Sequence, residues 1–399
     1  MLKWGAGIVL TPVLLFIILA VLLYLPPVQN WLVQQVAQRA SEQTGMDISV
    51  GRVRLAFPLD LCVKDFRMLR QNDSLPRRDT IADVRSLIVD IQLWPLLKGN
   101  VEVDALEFND VSLNTADLVS SARVKGRIGR LYLQSHGIDL SKETVRVNEA
   151  ALDDAAVSVE LSDTVPPDTA KTENNWKIRV DKLDISKTGV TVHMPGDTLQ
   201  IAAYMGKTEV RGGCFDLSSG RYSVDRLDWT DGRLAYDNNF AKLTDGLDPN
   251  HIALTGVTVG LDSVYFCQPN MRLNLRQCAF KEKSGITVES IAGRVNMDSV
   301  RLTVPLIELR TPDSRLTAKV AMDTDAFDEA HPGRLYIDTE CAIGKQDIMR
   351  FMGDMPAGFV RRWPNRPLTM KAVAAGNMRM LKIGGVNRKL HSALNLNIN

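Results

Sequence analysis

Five histidines, five cysteines and scattered carboxylates are the residues of this chain whose types could do chemistry. His136, His193, His251, His331 and His391 lie far apart, with no H-E-x-x-H pair and no Cys/His cluster, so their spacing gives zinc no support. Cys62, Cys214, Cys267, Cys278 and Cys341 form no C-x-x-C pair and read as small apolar residues on strand faces. An oxidising compartment would allow one or two disulfides, the odd count leaving a thiol over. Asp323, Asp325, Asp328 and Glu329 loosely resemble a calcium loop without its glycine and distal glutamate, and read as a solvated acidic loop.

The other candidates fail on spacing. Gly344-Lys345 has no glycine upstream at phosphate-loop distance, and Gln346 replaces the Ser or Thr that would hold magnesium. No G-x-S-x-G elbow occurs. Asp153-Asp154 and the isolated aspartates fall at turns and gaps, where backbone geometry explains them. Arg361-Arg362-Trp363 reads as a charged helix end before it reads as a contact to lipid phosphate. The expectation is a protein that is not an enzyme, with no catalytic residues, no metal and no cofactor.

The elements that would carry a site are more telling. In Val101 to Leu113 apolar residues alternate at Val103 and at Leu106 and Phe108, with the alternation slipping by one residue at Asp104. Period-two alternation marks a strand with one apolar face, and a β-bulge at the slip keeps both apolar pairs on one side. The pattern recurs with Gly51, Gly129, Asn148, Asp181, Asp225 and Pro305 at the gap. Paired apolar positions include Val180, Leu183, Val224, Leu227 and Trp229. Short polar segments follow several copies, such as Ser186 to Gly189 and Thr230 to Gly232. Their length suits tight antiparallel hairpins and leaves no room for crossover helices. The spacing is irregular, which predicts a long meander and not a fixed-period solenoid.

The predicted fold class is mainly β: an N-terminal transmembrane helix, then a long curved antiparallel sheet forming a groove, with a few short helices. Its apolar face is buried against a second sheet in a stack of sandwiches, or lines a trough. Regularly placed bulges favour the trough. The expected domains are an anchor at 1–27, a short amphipathic helix at 28–44, the repetitive groove at 45–343, an inserted helix at 344–364 and further strands at 365–399. The anchor rests on the uncharged run from Trp4 to Leu25, which includes Leu14, Phe16, Leu22 and Tyr24. About 22 residues at roughly 1.5 Å each span about 33 Å, the thickness of a bilayer core. A cleaved signal peptide is the competing reading, with a poor small-x-small site before Pro26 and Pro27.

The helix that follows, with Val28, Trp31, Leu32 and Val36 on one face, rests on the lipid interface or plugs the first end of the sheet. Between Lys345 and Trp363, Ile348, Phe351 and Met352 mark a second helix that Pro356 ends or kinks. The strand pattern that closes the chain leaves an edge for another chain, or continues in a longer protein. With 48 basic and 47 acidic residues, no nucleic-acid partner is expected.

The segment from Ser86 to Asn114, with the turn Trp94-Pro95-Leu96-Leu97-Lys98-Gly99 between two alternating strands, resembles the N-terminal region of the AsmA-like family, its TamB branch in particular. The resemblance implies a single-pass inner-membrane protein with its bulk in the periplasm. It also implies an apolar β-groove that carries phospholipid between inner and outer membranes and serves outer-membrane biogenesis. Groove residues would be Val103, Leu106, Phe108, Val180, Leu183, Val224, Leu227 and Trp229; partners would be phospholipid, the inner membrane and, through a C-terminal region missing here, an Omp85-type barrel. The alternative role is a scaffold subunit of a translocation and assembly module for outer-membrane barrels. A carbohydrate-binding sandwich is a third reading, which 6% aromatic content disfavours.

Overall fold

A computed structural model describes residues 26–56, 60–71, 78–92, 103–115, 122–139, 143–161, 175–194, 196, 198–328, 330–353, 356–377, 380–387 and 392–398. The anchor residues Trp4, Leu14, Phe16, Leu22 and Tyr24 and the turn Trp94 to Gly99 lie outside them. Among the described residues no helix is long and apolar enough to cross a membrane. The protein is mainly β, with 72% of the described residues in strands, and its strands pair antiparallel.

Two compact units divide the chain: Met1–Ile138 with Val147–Pro166, and Asp139–Arg146 with Pro167–Asn399. The first opens with α1 (Pro26–Thr44), then β1 (Asp47–Ala56), β2 (Asp60–Gln71), β3 (Arg78–Ile91), β4 (Val103–Asn114), β5 (Ala122–Asp139) and most of β6 (Thr144–Leu161). From β1 to β5 each strand pairs with the next. Helix α1 shields the outer edge of β1. Asn30 Oδ1 accepts from Val53 N at 3.4 Å, Gln29 Oε1 from Leu55 N at 3.2 Å, and Ser41 Oγ from Ile48 N at 2.9 Å. Side-chain oxygens thus take the donors that an edge strand would leave open. Plugging the sheet is therefore the reading that these contacts favour, and Trp31 points to solvent, 60% exposed.

The second unit holds β7 (Lys177–Met194), β8 (Leu199–Asp216), β9 (Arg221–Asn238), β10 (His251–Cys267), β11 (Asn270–Glu282), β12 (Thr287–Met297), β13 (Arg301–Arg310), β14 (Arg315–Asp323), β15 (Leu335–Ile343), α2 (Lys345–Met352), α3 (Ala357–Arg362), β16 (Leu368–Asn377), β17 (Met380–Asn387) and β18 (Ser392–Ile398). These strands also form a sequential meander. The helix expected across Lys345 to Trp363 is broken in two. Gly353 ends α2 with φ 64°, and Pro356 precedes α3.

The segments Ser186 to Gly189 and Thr230 to Gly232 are not hairpin turns. Both lie inside 18-residue strands, and the ladder runs through them: Ser186 pairs with Lys207 and Thr188 with Met205. In place of a reversal, one residue takes a left-handed conformation, Lys187 with φ 46° and Asp231 with φ 53°. Polar residues and glycine signal a mid-strand bend as readily as a turn, so composition alone does not separate them. The first unit repeats the device at Asp65 (φ 55°), Asp110 (φ 49°) and Asp154 (φ 53°). Short polar side chains tolerate this region better than branched ones.

The predicted bulges divide into two kinds. At Asp104, consecutive Asp90 and Ile91 pair with Ala105 and Val103, leaving Asp104 as the extra residue. Gly293 pairs with Ile307 and Asn296 with Thr303, so β13 has one residue more than β12 around Pro305. Gly51 and Gly129 instead keep register, each opposite a left-handed aspartate, Asp65 and Asp110. Asp181 and Asp225 likewise flank Gly212, which has φ 63°.

Candidate functional site: the apolar sheet face

Directly opposed residues on neighbouring strands share a face, so the register lists the neighbours of each predicted groove residue. In the first unit Leu106 lies between Val89 and Leu133, and Phe108 between Leu87 and Leu131. The Phe108 row continues through Val63 to Val53 on β1, and the Leu106 row through Leu61 to Leu55. Val103 opposes Ile91, the Asp104 bulge bringing it onto the same side as Leu106.

In the second unit Leu183 and Leu227 belong to one row, Leu183–Val210–Leu227–Leu261–Leu275, across β7 to β11. Val180 and Val224 flank Gly213, and the row passes on to Val264. Trp229 stands between Thr208 and Val259, in a row that runs through Cys278, Ile291, Leu309, Leu316 and Cys341. A fourth row begins at Ile178 and crosses Phe215, Tyr222 and Phe266 before Met271, Met297, Leu302, Met322 and Leu335. Its rings touch, with centroids 6.4 Å apart for Phe215–Tyr222 and 6.2 Å for Tyr222–Phe266.

The alternate face is ionic. Lys182, Arg211 and Arg226 sit in one cross-strand row, and Arg276 bridges Asp228 and Asp262, the latter at 2.8 Å. The Arg226 and Arg276 guanidiniums hold the Asp228 carboxyl below the usual range. Such exposed pairs contribute roughly 0–1 kcal/mol each, so they keep this face wet more than they fasten it.

Burial decides how the apolar face is covered. A second packed sheet would bury every inward position, yet Leu183, Val210, Leu227, Leu261 and Leu275 all keep part of their surface exposed. Among the described residues of the second unit the fully buried apolar ones are small or β-branched: Val257, Val288, Ala318, Ala326 and Cys341. All five cysteines are free thiols, and burial pushes the thiols of Cys278 and Cys341 up, as expected of groups on this dry face.

Trp229 packs back on its own strand. A Cβ at Gly232 would fall 2.5 Å from its ring. The indole Nε1 and its cross-strand neighbour Thr208 Oγ1 are both buried without a hydrogen-bond partner. Two orphaned donors side by side are a polar interruption in an otherwise apolar row.

The acidic loop resolves into ordinary turn chemistry. Asp323 accepts from Arg301 Nε at 3.0 Å and from Arg334 N at 3.1 Å, and Asp328 Oδ1 caps Ala330 N and His331 N. Among the described residues no group of three His, Cys, Asp or Glu is placed to hold a metal ion.

Sequence reading missed the row members on β8 and β11, Val210 and Leu275 among them. Their signal was present as alternation at Leu273 and Leu275, but β8 is interrupted by Gly206, Gly212 and Gly213. It took Val103, Leu106, Phe108, Val180, Leu183, Val224, Leu227 and Trp229 as one set of groove positions, of which the first three lie in the first unit and the other five in the second. Comparison with protein-family models, curated proteins and solved structures returned no match to this chain.

Proposed function

We propose that the apolar face lines a groove for the acyl chains of phospholipid, and that the protein carries lipid between the inner and outer membranes from an N-terminal inner-membrane anchor. The observation that carries this reading is the continuity of partly exposed apolar rows across successive strands. Contiguous apolar surface that stays partly exposed marks a binding surface. The bends at Lys187 and Asp231 support a curved wall, because each turns its strand without breaking the ladder. The sequence resemblance to AsmA-like proteins supports the envelope setting.

The mechanism is partition. Each methylene moved from water to the apolar rows contributes roughly 0.8 kcal/mol, and the headgroup stays in water at the open side. Rows that continue from strand to strand let a chain slide with little change in free energy. No bond is made or broken, so no catalytic group is called for.

A photo-crosslinking residue at Leu183 tests the proposal in cells. Phospholipid should be captured there and not from Lys182 on the ionic face. Capture of protein alone, or equal capture at both positions, would reject the groove.

A further inference from the structure

One rim of the second unit carries apolar side chains that the groove does not use. Helix α2 lies across strand turns there, tied down on one side. Asp347 Oδ2 accepts from Ser314 Oγ at 2.6 Å and from Thr311 Oγ1; Ser314 Oγ accepts from Gly344 N at 3.0 Å; and Asp313 accepts from Gln346 N at 2.8 Å. At 3.6 residues per turn, Met349 and Met352 fall on the side away from Asp347. No residue of α2 is buried, and Phe351 and Met352 are 57% and 53% exposed. The loop between β9 and β10 meets the end of this helix so closely that a Cβ at Gly246 would lie 2.5 Å from Gly353 N. That loop offers Phe240 and Leu243, each 76% exposed, and α3 adds Phe359.

Exposed charge at the rim is mostly basic. Lys242 in the loop, Arg361 and Arg362 on α3, Arg366 just after it and Lys283 in the neighbouring β11–β12 turn are exposed, against Asp245 exposed and Asp313 and Asp347 partly exposed among the described residues, in a chain whose net charge is only +1. Apolar tips ringed by cations are the chemistry of insertion at an anionic lipid interface. A second copy would bring the same cations, and like-charge repulsion opposes that occupant.

We infer that this rim, formed by α2, α3 and the β9–β10 loop, docks on an anionic phospholipid surface, with Phe240, Leu243, Phe351 and Met352 entering the interface. The inference does not depend on the groove carrying lipid: here the membrane is a surface held from outside, read at residues that the groove does not contain.

The test uses the full chain held by its N-terminal segment in a phosphatidylcholine nanodisc, mixed with a second population of vesicles that are then floated. Phosphatidylglycerol vesicles should co-float with the protein and phosphatidylcholine vesicles should not. Phe351→Ser with Met352→Ser should weaken the association about tenfold, and Arg361→Glu with Arg362→Glu by a similar factor that shrinks in high salt. These side chains are exposed, so the variants should keep the wild-type circular dichroism spectrum. Equal co-flotation of both vesicle types, wild-type binding by both variants, or nanodisc pairing through the same residues without vesicles would overturn the inference. Loss of rim binding with intact lipid capture at Leu183 would leave the groove standing, and the reverse pattern would leave the rim.

Discussion

Gly206 lies opposite the left-handed Asp231, and a Cβ built on it would come within 2.6 Å of the Asp231 Cβ and backbone oxygen. The bend in β9 therefore needs a hole in β8. Gly206→Ala should destabilise the second unit by about 1–3 kcal/mol through overpacking. Gly189→Ala, where nothing lies within 4 Å, is the matched control and should change stability by less than about 0.5 kcal/mol. Urea midpoints of the two variants check this.

Asp231 itself tests whether the bend is a property of its backbone. Asp231→Gly should be close to neutral, because glycine reaches positive φ freely. Asp231→Val should lose about 1–2 kcal/mol, a branched side chain being strained at φ 53°. Equal midpoints for the two variants would show that the bend does not require this conformation.

These positions also mark where the sequence was legible. The slip at Asp104 and the Pro305 gap were visible in the alternation, since an extra residue changes the parity of the apolar positions. The bends at Lys187 and Asp231 change parity too, yet they were read as turns. A hairpin and a left-handed kink share polar residues and glycine, and only the partner strand tells them apart. The apolar rows were visible strand by strand, but which residues become neighbours depends on register. Cys278 beside Val259 is the clearest case, for it needs the bulges of β10 and β11 to be placed. Ile348, Phe351 and Met352 were expected to make one apolar helix face, yet Phe351 and Met352 are exposed, on a helix held through Asp347 to Thr311 and Ser314.

The thiols report on the dry face. Burial raises the pKa of Cys278 and Cys341, so less thiolate is present near neutral pH. Both should react with iodoacetamide more slowly than unfolded-chain cysteine, the gap narrowing as pH rises. Bound phospholipid should slow Cys278 further. Mass spectrometry of time-quenched samples separates the sites, and unchanged Cys278 labelling on lipid addition would count against occupancy of its row.

Acid should loosen the loop between β9 and β10. Asp248 is buried, accepts from Thr244 N and Asn250 N at 3.0 Å each, and meets His251 Nδ1 at 2.9 Å, so its pKa is lowered to about 2. An unfolded aspartate titrates near about 3.9, so between these values the unfolded chain binds more protons. Stability therefore rises with pH across that window, is fully present above about pH 4, and is lost as pH falls toward 2. Asp248→Asn should flatten this part of the stability–pH curve, measured by thermal melts from pH 2 to 5.

The α1 contacts make a separate prediction. Ser41→Ala and Asn30→Ala each remove an acceptor from an edge donor, at about 1 kcal/mol. Amide exchange at Ile48 should quicken in the first variant and at Val53 in the second, with β4 and β5 unaffected. Uniform acceleration across the first unit would mean that α1 holds the whole unit and not its edge.

Each bent strand carries its kink within its own residues, matched by a glycine or an aspartate on the strand beside it. A pair of such strands could therefore be added or removed without retuning the others, provided the kinks stay aligned. In a sheet made this way cross-section and length are inherited separately. Point changes at positions such as Gly206 alter the first, and duplication of a strand pair alters the second.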